Sequence, residues 1–151
     1  KKNTDGTPVL KKRICGNRFE GTNIYKRGEY YYLFASIGTC CNGATSTYQT
    51  VVGRSKNVLG PYLDKTGRDM LYDYCEIIMS GNETWAGPGH NSILIQDDVG
   101  TDWIIYHGYK KKEAENGRYV LMDKLIWSND GWPSVKSNAP SILEVAPYFQ
   151  K

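Results

Sequence analysis

The sequence predicts an all-β protein, and three observations predict it. Twelve Tyr, four Trp and sixteen Gly among 151 residues suit strands joined by tight turns. Runs of β-prone residues recur between turn signals along the whole chain. No segment sustains the 3.6-residue period of an amphipathic helix.

The elements follow in order. Lys1-Lys2-Asn3-Thr4-Asp5-Gly6 reads as a strand end and a turn, so the chain is expected to begin inside a longer, processed or truncated pattern. Asn23-Ile24-Tyr25 is a strand, Lys26-Arg27-Gly28-Glu29 a hairpin turn, and Tyr30 to Ser36 a strongly β-prone return strand. Tyr48 to Gly53 forms a third strand, and Gly60-Pro61-Tyr62 turns into a short fourth. The pattern then recurs. Asn91 to Ile95 leads through Asp97-Asp98-Val99-Gly100-Thr101 into Trp103 to His107. Arg118 to Met122 runs on through Ile126-Trp127, and Asp130-Gly131-Trp132-Pro133 turns the chain.

Aligning the halves shows an internal repeat. Glu20 to Tyr25, a turn, then Glu29 to Leu33 matches His90 to Ile95, a turn, then Asp102 to Tyr106. Val51-Val52-Gly53-Arg54-Ser55 corresponds to Leu121-Met122-Asp123-Lys124-Leu125. Units of four short strands separated by turns describe propeller blades, whose innermost strands line a central channel. Glu20 and His90 each open the first strand of a unit, so a carboxyl group and an imidazole should meet at one rim of that channel.

Composition limits the other classes. Nineteen Lys and Arg against sixteen Asp and Glu leave a net charge of +3. The one basic run, Lys110-Lys111-Lys112, sits beside Glu113 and Glu115 and reads as a solvated hairpin tip, so nucleic acid is not expected. No apolar run is long enough to cross a bilayer and no secretory signal opens the chain, so no membrane partner is expected. Cys15, Cys40, Cys41 and Cys75 lack metal-binding spacing. Cys40 and Cys41 are adjacent and poorly placed to bridge one another. A bond from one of them to Cys15 or Cys75, or four free thiols, are the two alternatives.

Phe19-Glu20-Gly21-Thr22, Tyr31 to Ser36, Cys40-Cys41, Ser46-Thr47-Tyr48, Val52-Gly53-Arg54-Ser55 and Gly60-Pro61-Tyr62 occur here in that order. Gly87-Pro88-Gly89-His90-Asn91, Tyr106-His107 and Asp130-Gly131-Trp132-Pro133 follow. Over residues 15 to 135 this ordered set closely resembles the second half of the endo-1,5-α-L-arabinanases of glycoside hydrolase family 43. The resemblance implies a five-bladed β-propeller that hydrolyses α-1,5-linked arabinan with inversion. This chain would supply its last two to three blades. Residues 1–19 would end a preceding blade, 20–80 form the blade with the acid and 81–135 the blade with the channel histidine. Residues 136–151 would be a closing C-terminal strand.

In that family one carboxylate activates water as general base and a Glu protonates the leaving oxygen. A further Asp orients the acid and raises its pKa. Inverting enzymes hold acid and base roughly 6.5–9.5 Å apart, leaving room for the water. Glu20 falls on the acid. A strand-end Glu is in most proteins a solvated surface group, and here the Phe-Glu-Gly-Thr context points to catalysis. His90 falls on the histidine that holds a hydrated calcium ion in the channel, an unusual shell for an ion that prefers oxygen; the alternative is a histidine hydrogen-bonded in the channel without metal. Ser36, Cys41 and Arg118 are candidates for sugar contact, although a hairpin arginine reads equally well at Arg118. His107 reads as structural.

The base and the modulating Asp cannot be placed, because Asp5, in a turn, is the one Asp before Glu20. The expected partners are therefore arabinan or an arabino-oligosaccharide and a second polypeptide forming the N-terminal blades. The alternative is a non-catalytic carbohydrate-binding or structural fragment. A polymeric substrate implies an extracellular or periplasmic location.

Overall fold

Residues 4–6 and 11–150 are described by a computed structural model of the chain. Two antiparallel sheets dominate it, with short 3-10 turns and no α-helix among the described residues. The first sheet contains β1 (Glu20–Arg27), β2 (Tyr30–Ile37), β3 (Gln49–Ser55) and β4 (Glu76–Met79), hydrogen-bonded in that order. β1 and β2 run to the Arg27–Tyr30 pair, closer than the sequence suggested, because Gly28 adopts a φ of 56° and closes a two-residue loop.

The second sheet is centred on β7 (Asp102–Lys110), flanked on one side by β8 (Arg118–Lys124). On its other side lie β5 (Trp85–Gly89) and β6 (Ile95–Gln96), pairing with opposite ends of β7. They are two halves of one inner strand, interrupted at residues 90–94. The sequence reading put a continuous strand over Asn91 to Ile95, which is where the break falls. His90 sits at a φ of 51°, outside the extended region, so the ladder cannot continue through it. Ser92 N still donates to Ile105 O at 2.8 Å, which keeps the broken segment beside β7. β9 (Ile126–Trp127) and β10 (Pro133–Ser134) form a separate hairpin where a fourth strand was expected.

Residues 136–150 contain a 3-10 turn at Lys136–Asn138 and no strand, which corrects the expected closing strand. Pro140 and Pro147 remove ladder donors there. The segment is instead tied down by side chains and a turn: Ser141 N donates to the Asp123 carboxylate, and Asp98 N donates to Tyr148 O at 3.0 Å. Residues 7–10, within the stretch read as the tail of a preceding blade, lie outside the described residues.

Alternation along β2 builds two cores. Tyr32 and Phe34 face the second sheet and pack with Val52, Met79, Ile104, Tyr106 and Trp132. Leu33, Ala35 and Ile37 face the other way, onto Phe19, Tyr62 and Met70. A buried carboxylate joins the sheets. Asp102 accepts from Tyr25 Oη at 2.7 Å, Trp127 Nε1 at 2.8 Å and Gln96 Nε2 at 3.0 Å.

The adjacent Cys40 and Cys41 are disulfide-bonded to each other, and Cys15 and Cys75 are free. Neither sequence alternative held. Cys15 and Cys75 pack against the Phe19 cluster.

Candidate active site

Glu20 is the first residue of β1 and is exposed, while Phe19 before it is buried and anchors the strand. A register shift follows between Glu20 and Asn23, with Gly21 at a φ of 58°. That glycine is required twice over. A β-carbon on it would stand 3.0 Å from Cγ of His90, so the imidazole lies directly against the residue that follows the carboxylate. The structure thus brings Glu20 and His90 to one rim, seventy residues apart in sequence.

Tyr48 connects them. Its hydroxyl lies 3.4 Å from His90 Nδ1, close enough to Glu20 to feel its charge. Burial, followed by the interaction with Glu20, pushes the phenol pKa up to about 12, so Tyr48 keeps its proton throughout the neutral range. Its ring fits because Gly89 carries no side chain: a β-carbon there would lie 2.3 Å from Tyr48 Cδ1, while one on Gly87 would lie 2.6 Å from Ser46 Cβ. Sequence reasoning assigned Tyr48 no role. The available signal was the Gly87-Pro88-Gly89 segment, a cradle with no apparent occupant.

Ser36, expected to touch sugar, is fully buried. Its hydroxyl accepts from His90 N at 2.7 Å, so it holds the left-handed His90 backbone in place and does not face a ligand. His107 stacks between Tyr48, at 5.8 Å, and His90, at 6.1 Å. Burial pulls its pKa below the ordinary value, and the charges of Arg118 and His90 lower it further. Arg118, an exposed residue at the start of β8, places Nη1 3.4 Å from His107 Nε2. Arginine can only donate, so Nε2 accepts and the proton sits on the buried Nδ1.

Cys41 is exposed in the loop that follows β2 on the same rim. Thr39 N donates to Thr47 Oγ1 and Asn42 N to Ser46 Oγ, pinning that loop from both sides. Its Gly43 packs toward Ala114 in the 3-10 segment Lys111–Asn116 that leads into Arg118. An open depression of about 220 Å³ lies beside His90, His107 and Val120. As for the expected calcium, the described residues contain no group of three His, Cys, Asp or Glu placed to hold a metal ion. Calcium prefers six to eight oxygen ligands, so these residues do not make a calcium shell by themselves.

A profile of the glycosyl hydrolases family 43 matches residues 2–133. The chain belongs to that family. It is 45% identical over 118 residues to the extracellular exo-α-(1→5)-L-arabinofuranosidase ArbA of Cellvibrio japonicus, covering 78% of this chain and 33% of that protein. It is 41% identical over 120 residues to the extracellular endo-α-(1→5)-L-arabinanase 1 of Bacillus subtilis, covering 79% and 35%. The α-L-arabinanase of Cellvibrio cellulosa complexed with arabinohexaose superposes with a TM-score of 0.79 at 38% identity, over 90% of this chain and 48% of that one. A family 43 endo-arabinanase from Bacillus licheniformis gives 0.75 at 34%, over 87% and 45%. The chain therefore spans about a third of the length of the curated relatives it matches and about half of the solved structures. The family 43 arabinanases are five-bladed β-propellers, and the two sheets described here are part of that fold.

Proposed function

We propose that this family 43 chain contributes the general acid, Glu20, to an inverting hydrolase of α-1,5-linked L-arabinan. The observation that carries this reading is the packing of His90 against Gly21, which puts the carboxylate and the channel histidine on one rim with Tyr48 between them. Glu20 protonates the departing glycosidic oxygen. The water that attacks from the opposite face needs a base, which we assign, with the Asp that orients the acid, to N-terminal blades outside these residues. Those blades lie outside the 151 residues, and Glu20 is catalytic once assembled with them.

Tyr48 and His107 hold the acid-side wall, and the neutral state of His107 keeps a second positive charge away from Arg118. Arg118 and Cys41, both exposed on the rim, are assigned to sugar contact. A calcium ion beside the acid would take His90 as its one protein ligand from this chain and water for the rest, and no step of the proposed reaction runs through it. Polymeric arabinan as substrate, together with relatives named as extracellular, supports an extracellular location.

Replacing Glu20 by Gln in the assembled species tests the assignment. Hydrolysis of linear arabinan should fall by about 10²–10⁴-fold in kcat, the usual contribution of a general acid. Aryl arabinosides with good leaving groups, which need little protonation, should be spared. Equal losses on both substrates, or retained activity on arabinan, would remove Glu20 from the acid's place.

A further inference from the structure

The opposite end of the first sheet carries a cleft that the proposed catalysis does not use. It is about 420 Å³ in volume and is lined by Tyr30, Arg54, Lys56, Asn57, Lys65 and Trp132, among others. β3 separates it from the acid-bearing rim: Gln49 lies at one end of that strand and Ser55 at the other, about 20 Å apart at 3.3 Å per residue.

Its charge is one-sided. Three cations, Arg54, Lys56 and Lys65, line it together with a single carboxylate, Asp64. Asp64 is already consumed. It is buried and accepts from Thr66 N and Oγ1 and from Arg68 N and Nε, all at 2.8–2.9 Å. Glu29 faces Lys56 at 3.4 Å, but both side chains are largely exposed and such a pair is readily exchanged. Asp130, at the edge, is bonded to the Ser128 hydroxyl, and Glu76 accepts from Lys65 N.

Arg54 is held rigid. Its guanidinium carbon lies 4.5 Å from the Tyr30 ring and 4.4 Å from the Trp132 ring, and Nη1 donates to Asp130 O at 2.6 Å. Lys56 and Lys65 project over the same two rings, at 5.7 and 5.9 Å. A fixed cation flanked by two exposed ones on an aromatic floor suits a chain of rings that carry carboxylates. The volume is that of an oligosaccharide cleft and is far larger than a single small anion.

We propose that this cleft binds an acidic oligosaccharide, one built from uronate residues, at a site separate from the arabinan-cleaving rim. Arg54 and Lys65 receive the carboxylates, and the half-buried Tyr30 edge and Asn57 contact the ring. The inference does not depend on Glu20 being the acid.

Calorimetric titration of the 151-residue chain, in the assembly in which it purifies, tests it. The probes are a galacturonate trimer, its methyl ester, inorganic phosphate and a neutral arabinotriose. The trimer should bind saturably and more weakly at higher salt, and the ester should not bind. The Lys56→Ala, Lys65→Ala double variant changes two exposed side chains, so it should melt as the parent does while losing about tenfold or more in affinity for the trimer. Glu20→Gln should leave that affinity unchanged. Unchanged affinity in the double variant, equal binding of the ester, or phosphate binding as tightly as the trimer would each overturn the proposal.

Discussion

Gly89 shows how narrowly single residues are constrained on the acid-bearing rim. A β-carbon there would reach 2.3 Å from Cδ1 and 2.6 Å from Cε1 of Tyr48, a ring that is itself fully buried and cannot swing aside. Gly89→Ala should therefore cost about 1–3 kcal/mol in urea unfolding, the usual penalty for forcing volume into a packed site. In the proposed enzyme it should also displace the Tyr48 hydroxyl from His90 and Glu20. A variant as stable as the parent would mean that the cradle is looser than its geometry. Glu20 and His90 were legible from sequence through the alignment of the two halves, although His90 lies in the break after β5 and does not open that strand. Ser36 and Tyr48 were not. Their partners lie 54 and 42 residues away, and nothing local to either residue announces a contact with His90.

At the scale of elements, turns closed by buried carboxylates hold the strands in register. Asp64 closes one: Gly67 N donates to Asp64 O, and the side chain gathers four donors from Thr66 and Arg68. Burial alone would raise its pKa, but the hydrogen bonds from Arg68 and Thr66 outweigh it and the net shift is downward. A carboxyl with a depressed folded-state pKa contributes its full stabilisation above the unfolded value, near 3.9, and loses it as the pH falls through the lower folded value. Its contribution should thus be level from pH 7 to about 5 and fade below about 4. Asp64→Asn should lower stability by about 2 kcal/mol at pH 7 and by much less at pH 3, since hydrogen bonds to a charged group are being removed. Thermal unfolding of both proteins across that range checks it; a pH-independent difference would mean that the charge is immaterial. Asp97 repeats the arrangement in the second sheet, accepting from Thr101 N at 2.8 Å and Trp103 Nε1 at 3.0 Å. The reading found β1, β2, β3, β7 and β8, but it missed β4 and β5, and the short strand expected after Gly60-Pro61-Tyr62 is only an isolated bridge at Leu63. The reading failed at residues 90–94, where a left-handed histidine interrupts an otherwise β-prone run.

At the scale of the whole molecule, two sheets leave apolar surface uncovered. Ile93, Val120, Ile142, Leu143 and Val145 are between 71% and 91% exposed, and Val120 lies beside His90 and His107. Such a surface seeks a partner. If the base comes from separate N-terminal blades, native mass spectrometry of the purified protein should show an accompanying chain of similar size, and mixing with those blades should restore hydrolysis of arabinan. A homo-oligomer that stays inactive after mixing would defeat the split-enzyme reading. Strand periodicity, turn residues and an ordered series of motifs are local properties, so the sequence alone determined the all-β class, the repeat, the family and the meeting of Glu20 with His90. Contacts between distant side chains depend on register and on where the ladder breaks. Only the tertiary structure therefore decided that Ser36 supports His90, that Tyr48 joins the acid to the histidine, and that Cys40 bonds Cys41.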